Sequence, residues 1–135
     1  GLMIFSIWLI PLNQDEDSSN LRNEVNNFSA LKLSSLRSEK KAIFVNFTAD
    51  WCITCKVNEA IALDQDNVKK LLREKDIVYL KADWTRKDPE IASVLARYGR
   101  TGVPLYLLFP PVGAPTILPE LLTEDLLLDF LNEIN

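Results

Sequence analysis

The sequence predicts an α/β fold with a central mixed sheet and helices on both faces. Three apolar runs of strand length alternate with amphipathic helical segments from residue 42 onward. A fourth, shorter run follows the third after a turn rich in proline and is expected to pair with it as an antiparallel hairpin. The chain has 135 residues, 47% hydrophobic and 25% charged, which is the length and composition of one globular domain.

The first 27 residues are expected to precede the domain. Residues 2–12 are strongly apolar but shorter than the about 20 residues that cross a bilayer, and they lack the basic flank of a signal peptide. We interpret them either as the end of a transmembrane helix or as a segment packed on the domain or on another chain. Residues 13–27 are polar and acidic and predict a linker, so the folded unit is expected to cover residues 28–135.

The first half of the domain is built around one buried strand. Residues 28–31 predict a short edge strand, and residues 33–40 predict a short helix. Residues 43–47 are almost entirely β-branched or aromatic, which is typical of a strand covered on both faces. This segment is therefore expected to be the central strand. A helix is expected to begin at Cys52 and to run to about Leu63.

The second half repeats the alternation of helix and strand. Asp66 is expected to cap a helix, and residues 77–83 predict the next strand. The helix after it has a clear start, because Asp88 can cap it and Pro89 has no N–H to leave unpaired. Its apolar residues recur at helical spacing, and a glycine follows them: Ile91, Val94, Leu95, Tyr98 and then Gly99. Strands at 105–109 and 116–118 and a last helix capped by Thr123 complete the order.

Charge and composition exclude several classes of function. The formal net charge is −4, and no basic cluster is interleaved with aromatic residues, so nucleic acid is not an expected partner. The chain contains no histidine, which removes Ser-His and Cys-His nucleophile pairs and every histidine metal site. The remaining candidates for chemistry are cysteine, carboxylate, lysine, tyrosine and the backbone.

The two cysteines of the chain, Cys52 and Cys55, lie directly after the predicted central strand. A zinc site needs four ligands, so two thiolates would require carboxylates or a second chain to complete it. A purely structural disulfide gains little, because the entropy gain grows with loop length and this loop is minimal. Two inert buried thiols are a further alternative. We expect neither a metal site nor a cofactor.

A redox pair gives each cysteine a reason for its position. Cys52 in the first helical turn meets unpaired backbone N–H groups and the positive end of the helix dipole, which stabilise a thiolate. Cys55 lies one turn deeper on the same side of the helix and can resolve a mixed disulfide. The sequence therefore predicts a thiol–disulfide exchange site, with Cys52 as the exposed nucleophile and Cys55 as the resolving thiol.

The segment Phe47-Thr48-Ala49-Asp50-Trp51-Cys52-Ile53-Thr54-Cys55-Lys56 resembles the active-site segment of thioredoxin-fold proteins. Gly102-Val103-Pro104 is similar to their cis-proline loop. Over residues 28–135 the chain looks more closely like the C-terminal periplasmic domain of DsbD-type membrane thiol reductases. The segments that carry this likeness are 49–52, Glu59, 81–85 and 98–106.

The resemblance implies a protein-disulfide reductase at the periplasmic face of the inner membrane, downstream of a transmembrane segment. Its partners would be protein disulfides and the protein's own N-terminal and transmembrane domains. Trp51, Val103 and Pro104 would contact the substrate, the Val103 backbone pairing with an extended segment beside a cis Val103–Pro104 bond. The alternatives are a free-standing thioredoxin or cytochrome c maturation reductase, and a redox-silent interaction module on the same fold.

One position departs from the family pattern. Six residues before the first cysteine, thioredoxins usually have a buried aspartate, whereas this chain has Asn46, which cannot accept a proton. Glu59 is then the remaining carboxylate candidate, and its spacing lets it share a helix face with Cys52 and Cys55. We expect Glu59 to be largely buried and to take the proton of Cys55, with Asn46 as a neutral partner. An ordinary solvated glutamate is the alternative. Asp50 is expected to add to an acidic setting.

Overall fold

Five strands form one mixed sheet in residues 25–135, which are the residues that this computed structural model describes. The strands are β1 (Asn26–Asn27), β2 (Ala42–Thr48), β3 (Ile77–Asp83), β4 (Leu105–Phe109) and β5 (Thr116–Ile117). Their order across the sheet is β1-β3-β2-β4-β5. β3 is parallel to β1 and β2, whereas β4 is antiparallel to β2 and β5. The predicted mixed sheet with a terminal antiparallel hairpin is confirmed.

Helices cover both faces of the sheet. They are α1 (Ala30–Ser38), α2 (Ile53–Asn58), α3 (Asp66–Glu74), α4 (Pro89–Arg97) and α5 (Glu124–Asn132). A π-helical turn, Glu59–Leu63, continues α2. Residues of this turn, α3 and α5 share one apolar cluster, and residues of α1 and α4 share the other. The two-sided α/β architecture predicted from the sequence is therefore present.

The central strand β2 separates the two clusters. All seven of its residues are buried. Phe44 packs with Tyr106 and the α3/α5 side, whereas Val45 and Phe47 belong to the cluster with α1 and α4. Because both faces of the strand are covered, apolar side chains are required at successive positions and not only at alternate ones. This explains the apolar run that identified the strand, which only Asn46 interrupts.

The beginning of the domain differs from the prediction. The predicted edge strand at 28–31 is wrong, because the edge strand is β1 and α1 begins at Ala30. The Ser29 side chain accepts a hydrogen bond from the Lys32 N–H at 3.0 Å and so caps this helix. Phe28 packs on Phe47 with ring centroids 5.6 Å apart, so its apolar character reflects core packing and not a strand.

The boundaries of two helices also differ from the prediction. Gln65 occupies the N-cap of α3 without a side-chain cap bond, and the predicted cap Asp66 is the first helical residue. The helix predicted from Cys52 to about Leu63 is α-helical only to Asn58, where the π-helical turn takes over. The other predicted caps are confirmed, because Asp88 accepts from the Glu90 N–H and Thr123 accepts from the Leu126 N–H.

The apolar segment at 2–12 and most of the predicted linker lie outside the described residues. Asn26 and Asn27, the last two residues of that predicted linker, form β1 at the sheet edge. Among the helices within residues 25–135, none has the length and apolar character that a membrane span requires.

Candidate active site

Cys52 and Cys55 form a disulfide at the start of α2, with their Cα atoms 5.3 Å apart. Cys52 is the N-cap residue, and its sulfur accepts a hydrogen bond from the Cys55 N–H at 3.1 Å. The exposed fraction is 7% for Cys52 and 0% for Cys55. Of the two sulfur-bearing residues, Cys52 is thus the one that an incoming group reaches first. The positive end of the helix dipole lies at the same sulfur.

A loop after β3 holds the segment that leads into the disulfide. The Asp50 N–H donates to the Thr85 hydroxyl at 2.8 Å, and the Trp51 indole N–H donates to the Thr85 carbonyl oxygen at 3.0 Å. The Thr85 hydroxyl and N–H donate in turn to the Asp83 carboxylate. These hydrogen bonds lower the pKa of Asp83, so its carboxylate stays ionised and keeps Thr85 in place.

Aromatic side chains border the disulfide on this side. Trp51 is 50% exposed, and its ring lies 6.0 Å from the Trp84 ring, centroid to centroid. The ammonium group of Lys87 lies over both rings, 5.6 Å from the Trp51 centroid and 5.7 Å from the Trp84 centroid. Such cation–π contacts favour one orientation of the rings. The site therefore has an exposed aromatic surface next to Cys52.

The loop before β4 closes the other side. The Val103–Pro104 peptide bond is cis, which confirms the prediction for this bond. Val103 packs against the small cluster of Ala49, Cys52 and Cys55. Gly102 lies over the Trp84 ring, and a Cβ at this position would meet the ring at 3.7 Å. The proline loop, the disulfide and the aromatic side chains thus form one continuous surface.

Glu59 follows the disulfide by one helical turn, and its side chain is 15% exposed, which agrees with the expectation that it is largely buried. One carboxylate oxygen, Oε2, accepts a hydrogen bond from the Thr48 hydroxyl at 2.8 Å. The Asn46 amide nitrogen lies 3.5 Å from the same oxygen, as a neutral partner. The other oxygen, Oε1, lies 3.6 Å from the ammonium group of Lys56, which also lies 3.5 Å from Asp50.

Two tyrosines lie beneath the site as neutral phenols. Tyr79 accepts a hydrogen bond from the Asn46 amide at 3.1 Å, and Tyr106 accepts one from the Asn58 amide at 2.9 Å. Burial raises the pKa of Tyr106 to about 12 and raises the pKa of Tyr79 still further. Around neutral pH these groups therefore serve as hydrogen-bonding groups and carry no charge.

Sequence reasoning missed Thr48 and Asn58. Thr48 could have been found, because it lies two residues after Asn46 in a strand and so faces the same side. Asn58 has no signal of its own in the sequence, and only the packing of α2 against the segment at 120–122 shows its role. Within residues 25–135 no three acidic, cysteine or histidine side chains gather as metal ligands.

The arrangement suits sulfur chemistry. A disulfide opened by two electrons leaves Cys52 at a helix terminus that stabilises its thiolate and Cys55 buried behind it. Glu59 supplies a carboxylate one turn farther along the same helix. Trp51 and the loop at 102–104 border the disulfide.

Comparison with known proteins assigns the family. The model of a family described as thioredoxin-like matches residues 25–111. The thiol:disulfide interchange protein DsbD of Photorhabdus laumondii is 29% identical over 100 residues, which are 74% of this chain and 17% of that protein. DsbD 1 of Pseudomonas aeruginosa is 35% identical over 81 residues, covering 60% of this chain and 13% of that protein. The chain thus spans less than a fifth of the curated relatives it matches.

Solved structures agree on the fold. The oxidised C-terminal domain of DsbD from Neisseria meningitidis superposes with a TM-score of 0.66 at 23% identity, covering 82% of this chain and 99% of that one. A thioredoxin from Thermus thermophilus gives a TM-score of 0.66 at 19% identity, covering 83% of this chain and 86% of that one. The predicted thioredoxin-like fold is confirmed. With its family model, its fold and its cysteine pair in agreement, the chain belongs to the thioredoxin-like family.

Proposed function

We propose that this protein is a thiol–disulfide oxidoreductase that reduces protein disulfides through Cys52 and Cys55. One observation carries the proposal. The two cysteines form a disulfide at a helix N-terminus, where the Cys52 sulfur accepts the Cys55 N–H and lies against the loop that contains the cis Val103–Pro104 bond. A purely structural disulfide would need neither the helix terminus nor an adjoining aromatic surface.

The reaction follows from the order of the two sulfurs. The Cys52 thiolate attacks one sulfur of a partner disulfide, a mixed disulfide forms, and the partner's second sulfur leaves as a thiolate. Cys55 then gives up its proton and attacks the Cys52 sulfur. This step forms the Cys52–Cys55 disulfide and releases the partner's first sulfur as a thiolate. The partner gains two electrons, and the pair loses them.

Glu59 is the proposed acceptor of the proton that Cys55 loses. Its backbone N–H donates to the Cys55 carbonyl oxygen, so the carboxylate is carried by the turn directly after the resolving cysteine. A carboxylate that is mostly withdrawn from solvent can serve as a general base where water has poor access. Asn46 cannot take this role, because an amide does not accept a proton at accessible pH.

Trp51, Val103 and Pro104 are proposed to bind the substrate. Trp51 offers exposed aromatic area, and Val103 contacts the cluster that contains both cysteines. An extended segment of the partner, paired with the Val103 backbone, would bring its disulfide onto Cys52. Asp50 and Lys56 would set the local charge at the opposite edge of the site.

The similarity to DsbD proteins supports a location and a source of electrons. We propose that the domain works at the periplasmic face of the inner membrane and is reduced by a transmembrane domain of the same protein. It would then pass electrons to that protein's N-terminal domain. The matches to thioredoxins support a second candidate, a free-standing reductase, which a soluble thioredoxin reductase with NADPH would reduce directly. Rapid reduction in that assay would favour the second candidate.

Trapping of mixed disulfides tests the assignment of the two sulfurs. Cys55→Ser should retain the attacking sulfur and accumulate a mixed disulfide with a protein substrate, visible as a mass shift that reductant removes. Cys52→Ser is the matched control and should trap little, because the remaining sulfur is fully buried. The reverse pattern would overturn the roles. Failure of both variants and of the unaltered protein to react with any disulfide would overturn the proposed function.

A further inference from the structure

The two oxygens of the Glu59 carboxylate have different surroundings. Oε1 faces the ammonium group of Lys56 at 3.6 Å, on the partly exposed side. Oε2 faces the sheet, where the Thr48 hydroxyl donates to it at 2.8 Å and the Asn46 amide nitrogen lies 3.5 Å away. Thr48 and Asn46 are both buried. The inner oxygen is thus surrounded by neutral groups, the Thr48 hydroxyl and the Asn46 amide.

Only the nitrogen atom of the Asn46 amide makes hydrogen bonds within the described residues. Its nitrogen donates to the Tyr79 hydroxyl at 3.1 Å and points toward Glu59, whereas its buried oxygen Oδ1 has no hydrogen-bond partner among the described residues. Buried acceptors without a partner are rare in folded proteins and call for an explanation. Rotation of the amide by half a turn would break no hydrogen bond to this oxygen, although the nitrogen would give up its contacts with Tyr79 and Glu59. The rotation would turn an acceptor toward Glu59 in place of a donor.

These two observations match the two protonation states of a carboxyl group. A carboxylate only accepts hydrogen bonds, whereas a carboxylic acid also donates one. Thr48 and the amide nitrogen suit the carboxylate, and the amide oxygen suits the acid. Tyr79 can follow the rotation, since its hydroxyl accepts from the nitrogen and can donate to the oxygen.

We propose that Thr48 and Asn46 are positioning residues that hold Glu59 in both protonation states while Cys55 resolves the mixed disulfide. The proposal rests on the function proposed above. Before resolution, Thr48 holds Glu59 as a carboxylate. When the Cys55 S–H bond breaks, the proton passes to Glu59, the sulfur attacks Cys52, and the resulting carboxylic acid donates to Asn46 Oδ1. The proton leaves later, to the released partner thiolate or to water.

The other charged or titratable groups near Glu59 do not replace these two residues. Lys56 neutralises the outer oxygen and is shared with Asp50. The phenols of Tyr79 and Tyr106 face Glu59 from β3 and β4, and burial raises the pKa of each, so both stay protonated at neutral pH. Asp64 lies farther along the chain and acts on Tyr79. In the proposed mechanism, proton transfer therefore depends on Glu59 and on the groups that bind its inner oxygen.

Single-turnover resolution of a small mixed disulfide tests the proposal without a natural partner. Thionitrobenzoate is attached to Cys52, and its release by Cys55 is followed by absorbance from about pH 5 to pH 9. Thr48→Val removes the donor but keeps the shape, so release at neutral pH should slow about tenfold and the acidic limb of the profile should move up by about one pH unit. Thr48→Ser keeps the hydroxyl and should restore the profile. Asn46→Leu should also slow release, because the acid loses its acceptor.

A double substitution separates positioning from general damage to the fold. In the Glu59→Gln background, Thr48→Val should have no further effect, because the group that it positions is gone. Thr116→Val, on the exposed strand β5, is the matched control for the change of side chain. Equal slowing by Thr48→Val with and without Glu59, or an unchanged profile in Thr48→Val, would overturn the proposal. Loss of thionitrobenzoate release from the unaltered protein would instead overturn the proposed function itself.

Discussion

Replacing Asn58 by alanine should destabilise the protein more than any single surface change, because this side chain anchors the active-site helix. Its amide nitrogen donates to the Tyr106 hydroxyl at 2.9 Å and to the Glu120 carbonyl oxygen at 2.7 Å. Its amide oxygen accepts from the Leu122 N–H at 3.0 Å. Asn58 is buried, so water cannot replace these bonds once the amide is removed.

The expected size of the effect follows from the number of bonds. Three hydrogen bonds at about 1 kcal/mol each give a loss of about 3 kcal/mol in the free energy of unfolding. Native domains have about 5 to 15 kcal/mol, so the variant should remain folded at room temperature and be measurable. Tyr106→Phe removes one of the three bonds and should cost about 1 kcal/mol.

Urea unfolding followed by tryptophan fluorescence measures these differences. The double variant Asn58→Ala with Tyr106→Phe should lose about 1 kcal/mol less than the sum of the single losses, because both changes delete the same bond. Asn67→Ala is the control, since the Asn67 amide bonds to Glu124 at an exposed position. A loss for Asn58→Ala no larger than that of this control, or strict additivity with Tyr106→Phe, would refute the anchoring role.

Three further predictions concern the redox pair, its surface and alkaline pH. Equilibration with glutathione buffers should give a reduction potential closer to that of thioredoxin, about −270 mV, than to that of strongly oxidising enzymes, about −120 mV. The reason is that Ile53 and Thr54 add no positive charge beside the Cys52 thiolate, whereas Asp50 and Glu59 are acidic. A cysteine pair that stays reduced in a buffer poised at about −120 mV would contradict this prediction. Trp51→Ala should slow the reduction of a protein disulfide about tenfold but should leave the reduction of a small-molecule disulfide nearly unchanged, as measured by stopped-flow kinetics. Equal slowing of both reactions would argue against a docking role for Trp51. Burial raises the pKa of Tyr106 from 10.0 to about 12, so folding favours the neutral phenol. The contribution of this group to the free energy of unfolding should be complete below pH 10 and should decrease as the pH rises toward about 12. Chemical unfolding at several pH values should show a smaller fall in Tyr106→Phe, and an identical fall would contradict the assignment.

Elements with a strong local signal were predictable from the sequence. β2 was identified because residues 43–47 are almost entirely β-branched or aromatic, and α4 because Asp88 and Pro89 both suit the start of a helix. The start of the domain was not predictable, because Phe28 packs in the core without belonging to a strand. A sequence pattern does not distinguish an apolar residue in a strand from one that merely contacts a strand.

Some parts of the candidate site were also predictable from the sequence, and others were not. The cysteine pair and the proline loop carry short motifs, so their positions followed from the sequence. Of the partners of Glu59, Asn46 was expected from the sequence. Thr48 was not, because it precedes Glu59 by eleven residues and meets it only when α2 packs on the sheet. The π-helical turn that begins at Glu59 contains no proline or glycine from which it could have been predicted. Contacts between elements depend on packing, which local propensity does not encode.

The two sides of the site are joined by one polar network. Arg100 forms an ion pair with the Glu120 side chain and donates to the Pro104 carbonyl oxygen at 3.4 Å. The Glu120 carbonyl oxygen accepts from Asn58, which belongs to the helix that carries Cys55. In the proposed reaction a partner disulfide contacts Cys52 and the proline loop at the same time, so a displacement of about 1 Å between the two would lower the rate strongly. Burying a polar side chain such as Asn58 costs stability unless all its bonds are made. Here two of the bonds are made to Glu120 and Leu122, in the segment that also supports the proline loop, and the third is made to Tyr106 in β4. The network therefore links the helix that carries the disulfide to the proline loop.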